Sequence, residues 1–381
     1  KAFEGPYKVR PYMIRIIECR DVAVEDVTIV NSPMWVQHYL ACDDVRIDGI
    51  TVRSLVNHNN DGIDIDCCRR VAISNCNIVS GDDAIVLKST ADRVCRDVVV
   101  SNCVLSTRCN ALKMGTESNG GFKNIVLSNC TIYDTRLAGV ALEIVDGGTM
   151  DGIVVSNMTM DGVGSPIFVR LGNRARVFKE GMAKPGIGVL RNVTISNIEA
   201  RGGNMTGSSI TGLPDAKVEN VTLANIRLGY IGGGTRAECE RDVPEKAGNY
   251  PEYSMFGKLP AYGLYCRHIR GLKLVNVQMQ TDEDDRRHAF VFDDVQDAVV
   301  DGLAGPFDKG AGAMLKLADV KDVLVRGCRP VMGTDVFLRV EGADSRAVVL
   351  SGNDLSNVNT IVEFGDGVPK GAVVPVANRM N

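Results

Sequence analysis

VAISNCNI (71–78), VVVSNCVL (98–105), IVLSNCTI (125–132) and IVVSNMTM (153–160) are copies of one template, set about 27 residues apart. Further copies lie upstream, VAVEDVTI (22–29) and VRIDGITV (45–52), and downstream, VTISNIEA (193–200), VTLANIRL (221–228) and LKLVNVQM (272–279). Fainter echoes follow near Ala298, Val323 and Ala347. Each copy alternates apolar and polar residues, as a half-buried strand does. The interval is too short for a strand plus a crossover helix, and no amphipathic helical pattern fills the gaps. One strand pair per repeat cannot bury its own apolar face, whereas stacked copies can. The sequence therefore predicts an all-β fold, a right-handed parallel β-helix whose coils stack at about 4.8 Å. Residues 1–381 are expected to form a single such domain, interrupted by polar, Gly/Pro-rich insertions near 172–190 and 230–262.

The template also places its polar residues. Asn75, Asn102, Asn129, Asn157, Asn197, Asn225 and Asn276 recur where the chain bends between strands. Stacked there, each amide is expected to bond to turn backbone and to the Asn above, keeping buried polar groups satisfied. Cys76, Cys103 and Cys130 form a second column. They are read as buried free thiols that act as small hydrophobes, with a disulfide between rungs as the alternative. Asn157, Asn192, Asn204 and Asn220 match N-x-S/T, but Asn157 belongs to the ladder and Asn192 and Asn220 flank it, so glycosylation is the weaker reading.

Composition narrows the function. A net charge of -4 without a basic run argues against nucleic-acid binding. No apolar run is long enough for a membrane span. The opening KAFEGPYKVRPYMIRII lacks a signal-like apolar stretch and begins without Met, so a processed or trimmed N-terminus is expected.

Two acidic stretches stand out, NNDGIDIDCC (59–68) and SGDDAIVLKS (80–89). Between the repeat copies runs a second strand family: IDI (63–65), IVL (85–87), LKM (112–114), LEI (142–144) and FVRL (168–171). If these stack as one sheet, the turn carrying Asp61 sits beside the turn carrying Asp82 and Asp83. Any one of them has an alternative reading as a backbone-capping turn residue. Three converging carboxylates raise at least one pKa, giving a protonated acid beside ionised partners. Glycosidic hydrolysis needs that combination: an acid for the leaving oxygen and a carboxylate to activate water.

These stretches, with the lead-in RPYMIRIIECRDVAVEDVTIVNSPMW (10–35), resemble glycoside hydrolase family 28, the polygalacturonase family. Its pattern is N-T-D, then G-D-D, then G-H-G, then R-I-K on a right-handed β-helix. The resemblance is strongest from about Arg10 to Arg176 and weakens beyond the two aspartate motifs. It implies Asp82 as general acid, and Asp61 with Asp83 as the pair that positions and deprotonates water for inversion. It implies no metal and no cofactor. Asn59 and Asp61 match N-T-D with Asn60 replacing Thr, and Asp64 is a secondary candidate for substrate contact. Asp66 is read as the polar face of a strand. The family has further coils before the R-P-Y region.

The departures are informative. CNALKMGT (109–116) puts Asn110 at the family's His position, and AGVALEI (138–144) puts Ala141 and Glu143 at its Arg and Lys positions. Those basic residues hold a galacturonate carboxylate, and a Glu there would repel it. By strand alternation Lys113, Glu143 and Arg170 are expected to project outward in one row, either as an exposed ion-pair ladder or as replacement substrate contacts helped by Arg174. Glu117 and His58 complete the candidate substrate-binding set. The insertion's aromatics, Tyr250, Tyr253, Phe256, Tyr262 and Tyr265, are read as a wall at one end of the groove, or as a plain lid. A wall would make the enzyme act from chain ends. The expected partner is a polysaccharide, with secretion to the periplasm or medium inferred from the polymer alone. The competing readings are a calcium-dependent polysaccharide lyase on the same scaffold and a non-catalytic β-helical binding protein.

Overall fold

Alternation in the repeats produces strands with one dry face, and those faces meet along a single axis. The inward row Ile47, Ile73, Val100, Leu127, Val155, Ile195, Leu223, Leu274, Val300, Val325 and Leu350 pairs in register from coil to coil, every member 2% exposed or less. The computed structural model describes residues 10–305 and 310–380; residues 1–9 of the stretch read for a leader lie outside it. All pairings between the named strands are parallel, so the architecture is a parallel β-solenoid of about 13 turns. A coil has three strands, as in Ile63–Asp66, Arg69–Ser74 and Asn77–Ser80, each hydrogen-bonded to its counterpart in the next coil. Among the described residues the one helical element is the 3₁₀ turn Arg236–Glu240, and no helix is long and apolar enough to cross a membrane.

The Asn column forms, but on the outside. Asn75, Asn102, Asn129, Asn157, Asn197, Asn225 and Asn276 all adopt the left-handed conformation, with φ between 52° and 58°. Asn tolerates that conformation better than residues with apolar or branched side chains. The amides chain upward from Asn129 to Asn157 (3.1 Å), Asn197 (2.9 Å), Asn225 (3.3 Å) and Asn276 (3.1 Å). These bonds are solvent-exposed, which corrects the expectation of a buried ladder: at the bend between two strands of a coil the Asn side chain projects away from the core. Cys76, Cys103 and Cys130 all sit in the core, and all twelve cysteines are free thiols.

The coil rhythm breaks twice. Residues 172–188 leave the strand Thr149–Leu171 before Val189–Gly203, and residues 231–260 separate Val218–Tyr230 from Ala261–Thr281. Both excursions fold back over the same outer face of the solenoid, the one carrying Ile63–Asp66, Ile85–Ser89 and Leu112–Ser118.

Substitution at a corner tests this account of the turns. Asn157→Ala is expected to lower stability by about 1–2 kcal/mol, the cost of holding an L side chain in the left-handed region. Asn157→Gly should cost less, because Gly adopts that region freely. Thermal unfolding midpoints of the two variants give the comparison, and a larger loss for Gly would refute the corner account.

Candidate active site

The site is built by turns that enter consecutive strands of the outer face. Val36 N–H bonds to Asp61 O (2.8 Å), Gly62 N–H to Asp83 O (2.9 Å), Ala84 N–H to Asn110 O (2.9 Å) and Ala111 N–H to Ala138 O (2.9 Å). Trp35, Asp61, Asp83, Asn110 and Ala138 thus occupy one position on successive coils. Gly62 permits the close stacking: a Cβ there would lie 2.5 Å from the Ala84 carbonyl oxygen. Ile63, Ile65, Ile85 and Leu87 point into the core, so Asp64, Asp66, Val86, Lys88 and Lys113 form the floor outside.

Asp82 and Asp83 are neighbours with opposite environments. Two bonds from Asn110, from its N–H (3.0 Å) and its Nδ2 (2.9 Å), converge on one oxygen of Asp83, and Lys113 Nζ lies 3.2 Å from the other. Burial acts to raise the Asp83 carboxyl, but Lys113, Lys88 and Asn110 outweigh it and hold it below the ordinary carboxylate range. Asp82 is less enclosed, and burial followed by the Asp83 charge pushes it up. Its backbone carbonyl accepts from the Ser80 hydroxyl (2.6 Å) and from Thr107, and its carboxylate accepts from Asp83 N–H (2.9 Å) and from the Cys109 thiol.

Lys88 organises the other half. Its ammonium lies 3.6 Å from Asp64, 4.0 Å from Asp61 and 3.6 Å from Glu117, and 4.8 Å from the centre of the Trp35 ring. Burial raises both Asp61 and Asp64 well above the usual value despite Lys88. Asp61 Oδ1 and both Asp64 oxygens are buried and lack a hydrogen-bond donor; Asp64 is fully buried, which corrects its reading as a substrate contact, because the strand places it on the floor beneath Lys88. Beside them the 172–188 segment closes a cavity of about 390 Å³ in which Phe178 and Arg176 face Trp35, Glu117 and Asn119.

The longer insertion covers the opposite side. Tyr253 packs on Ala138, Ala141 and Phe168, and Tyr250, 53% exposed, lies between Lys113 (5.5 Å) and Arg174 (5.6 Å). Glu252 reaches toward Lys113, Asp83, Asp82 and Asn110; burial leads its rise to about 7. The segment is pinned by Arg170, which donates to Glu245 O (2.7 Å), and by Arg241, which donates to Phe256 O (2.9 Å).

Several expectations need revision. Lys113, Glu143 and Arg170 do not form one exposed row: Lys113 stands opposite Ala141, Glu143 opposite Arg170, and all three are 3% exposed or less. The insertion covers the face on which they project. Arg170 is committed to Thr211 (3.2 Å), Gly212 O (3.0 Å) and the loop, so it anchors the covering segment and does not line a groove. Asn110 bridges Asp83 and the Ala138 N–H (3.0 Å) and is 1% exposed, a positioning role and not substrate contact. Of the five insertion aromatics only Tyr250 is exposed; Tyr253, Phe256, Tyr262 and Tyr265 are buried. Asp66, read as a strand's polar face, is buried and accepts from Thr90 N–H (3.0 Å) and its hydroxyl (2.7 Å). Asn59 and His58 sit on an exposed turn held by Arg10, which donates to Asn59 Oδ1 (2.8 Å) and to the His58 carbonyl. Glu117 and Arg174 meet at 3.8 Å near the rim, and Arg174 also pairs with Asp146. Sequence reasoning passed over Lys88, Trp35, Cys109 and Glu252. Parity along IVLKS places Lys88 outward and register places Trp35 one coil before Asp61, whereas nothing local marks Glu252.

Comparison with known proteins identifies the family. The profile of Glycosyl hydrolases family 28 matches residues 3–248. A "Probable polygalacturonase" of Vitis vinifera is 39% identical over 84 residues, 22% of this chain and 17% of the relative. The "Exopolygalacturonase B" of Aspergillus niger is 21% identical over 244 residues, 61% of this chain and 56% of the relative. The chain thus spans little more than half, or less, of the relatives it matches. A solved hyperthermoactive exopolygalacturonase from Thermotoga maritima superposes with a TM-score of 0.56 at 23% identity, covering 73% of this chain and 56% of that one; this likeness supports the fold.

Glu143 gives a pH signature. Burial pushes its carboxyl up to about 8, against the pull of Lys113, from about 4.3 in an unfolded chain. Its contribution to stability is fully present below the unfolded value and is lost as pH rises toward the folded one. Glu143→Gln escapes that loss, so its stability relative to wild type should rise between about pH 5 and about pH 8. Urea unfolding at the two pH values reads the difference, and a constant gap would contradict a buried neutral carboxyl.

Proposed function

Because the chain belongs to glycosyl hydrolase family 28, we propose that it hydrolyses O-glycosyl bonds of a pectic or related acidic polysaccharide, of galacturonate or rhamnogalacturonan type. The observation that carries this reading is the unequal surroundings of two adjacent carboxylates: Asp83 accepts two bonds from Asn110 and faces Lys113 Nζ at 3.2 Å, whereas burial and the Asp83 charge act to raise Asp82. Asp82 donates its proton to the leaving glycosidic oxygen. Asp83, ionised beside Lys113, takes a proton from water, and Asp61, one coil earlier, helps to orient that water. Attack from the face opposite the leaving group inverts the anomeric centre. Glu117 and Arg174 are the candidate sugar contacts at the rim. The 231–260 segment, packed over Ala141 and Phe168, supports an exo mode, since it covers the outer face past Lys113. Polymers of this kind lie outside the cell, which favours secretion.

A lyase reading fits less well. Hard cations take oxygen ligands, and the third group beside Asp82 and Asp83 is the Cys109 thiol. Lys113 Nζ already stands where a cation would neutralise Asp83.

Asp82→Asn should lower kcat by about 10²–10⁴ on an active pectic substrate. Proton NMR of the first product formed by wild type should show the anomer opposite to that of the cleaved bond. Retention, or an unsaturated product absorbing in the ultraviolet, would remove the assigned roles. Release of short products from the outset, without an early fall in viscosity, is the outcome expected of exo action.

A further inference from the structure

The cavity of about 390 Å³ under the 172–188 segment takes no part in the proton transfers. Its volume falls in the range of small-molecule sites, and the rings of Trp35 and Phe178 line it. Trp35 is fixed by edge-on contacts, with the Tyr12 ring at 5.5 Å and the His38 ring at 5.0 Å. Lys88 Nζ lies 4.8 Å from the Trp35 ring centre and 4.0 Å from Asp61, so the cavity stands one side chain from the reacting carboxylates. Three cations converge on a single carboxylate in its wall. Glu117 has Lys88 at 3.6 Å, Arg174 at 3.8 Å and Arg176 at 3.5 Å. Lys88 and Arg174 also have carboxylates of their own, Asp61 and Asp64 for the first and Asp146 for the second. Arg176 differs: among the described residues Glu117 is its one ion-pair partner, and its side chain is 66% exposed. Its backbone is nevertheless fixed, donating from N–H to Asp146 (2.9 Å) and accepting from Asn119 Nδ2 (2.8 Å). An exposed pair such as Arg176 with Glu117 is worth little, so the guanidinium can exchange Glu117 for a ligand carboxylate with little loss.

Resting on the hydrolase reading, we infer that this cavity is the subsite for a uronate residue near the scissile bond. The pyranose ring lies between Trp35 and Phe178, whose faces suit the C–H surface of a sugar. Its carboxylate pairs with Arg176, whose planar fork of donors matches that group. Ala141 and Glu143 are fully buried at the two positions the resemblance aligns with the family's Arg and Lys. One offers a methyl group and the other an acid, so recognition of the carboxylate passes to the 172–188 segment. Arg176 is the specificity-determining residue, while Trp35 and Phe178 hold the ring whatever its charge. Arg108 and Arg136, exposed on the turns that precede Asn110 and Ala138, are rival cations, but neither lines this cavity.

Oligogalacturonate, an alternating galacturonate–rhamnose chain of equal length, and the methyl ester of each test the assignment. Wild type should prefer at least one free acid to its ester. Arg176→Gln should lower kcat/KM on that acid by about tenfold, mainly through KM. The ester has no carboxylate to lose and should fall less, so the acid-to-ester ratio narrows. Phe178→Ala, on the same surface segment, should weaken acid and ester alike, and thermal melting checks that both variants fold. Calorimetric titration of Asp82→Asn, alone and combined with Arg176→Gln, reads the subsite without turnover. Preference of Asp82→Asn for a free acid, abolished by Arg176→Gln while wild type cleaves nothing, would support the subsite and remove the hydrolase reading. A preference that survives Arg176→Gln, or that Arg136→Gln removes instead, would overturn this inference whether or not hydrolysis occurs. Equal binding of acid and ester would overturn it too.

Discussion

In-register parallel stacking is the constraint on which the rest depends. It places the same position of successive coils about 4.8 Å apart, so any charged residue on the outer face has a neighbour at that distance above and below. The outer rows answer this by alternation. Asp66 stands opposite Lys88 and Glu143 opposite Arg170, while the row holding Asp64 and Lys113 separates them with Val86 and continues into Ala141 and Phe168. The acid-rich turns can exist side by side because Lys88 and Lys113 project from the strands that follow them.

Such an arrangement is not an economical way to hold a protein together. Removing one partner from a buried ion pair costs about 3–5 kcal/mol, and a well-packed apolar replacement is often no less stable. The carboxyl oxygens left without donors on Asp61, Asp64, Glu143 and Glu252 add to that burden. Unsatisfied buried groups concentrated around one turn cluster are what a reacting site requires: carboxyls whose proton affinities differ because their surroundings differ. Lys113 is central to that difference. It lowers Asp83, is covered by Tyr250 from a segment 137 residues away, and carries the charge between Glu143 and the catalytic turn.

Much of this was legible in the chain. The repeats VAISNCNI and VVVSNCVL gave the coil length, the recurrent Asn marked the bends between strands, and NNDGID with SGDDAI gave the acidic turns in adjacent coils. The errors share a cause: residues on the outer face were read as exposed, because alternation tells which way a side chain points and not what lies over it. Lys113, Glu143 and Arg170 all point outward as expected, yet the 231–260 segment buries them. Alternation puts Lys113 and Glu143 on the same face but does not fix the register between coils: Lys113 pairs with Ala141, two residues before Glu143. Glu252 lies in a segment with no repeat to fix its register, so only the folded chain reveals its approach to Asp82 and Asp83.

The central claim is that Lys113 splits the protonation of two adjacent aspartates. Carbon-13 NMR of the aspartate carboxyls, followed through a pH titration in wild type and in Lys113→Met, tests it most directly. The account predicts that Asp83 titrates below and Asp82 above the ordinary range in wild type, and that Asp83 moves up when Lys113 is replaced. Two aspartates that titrate together in the ordinary range, unmoved by Lys113→Met, would contradict it.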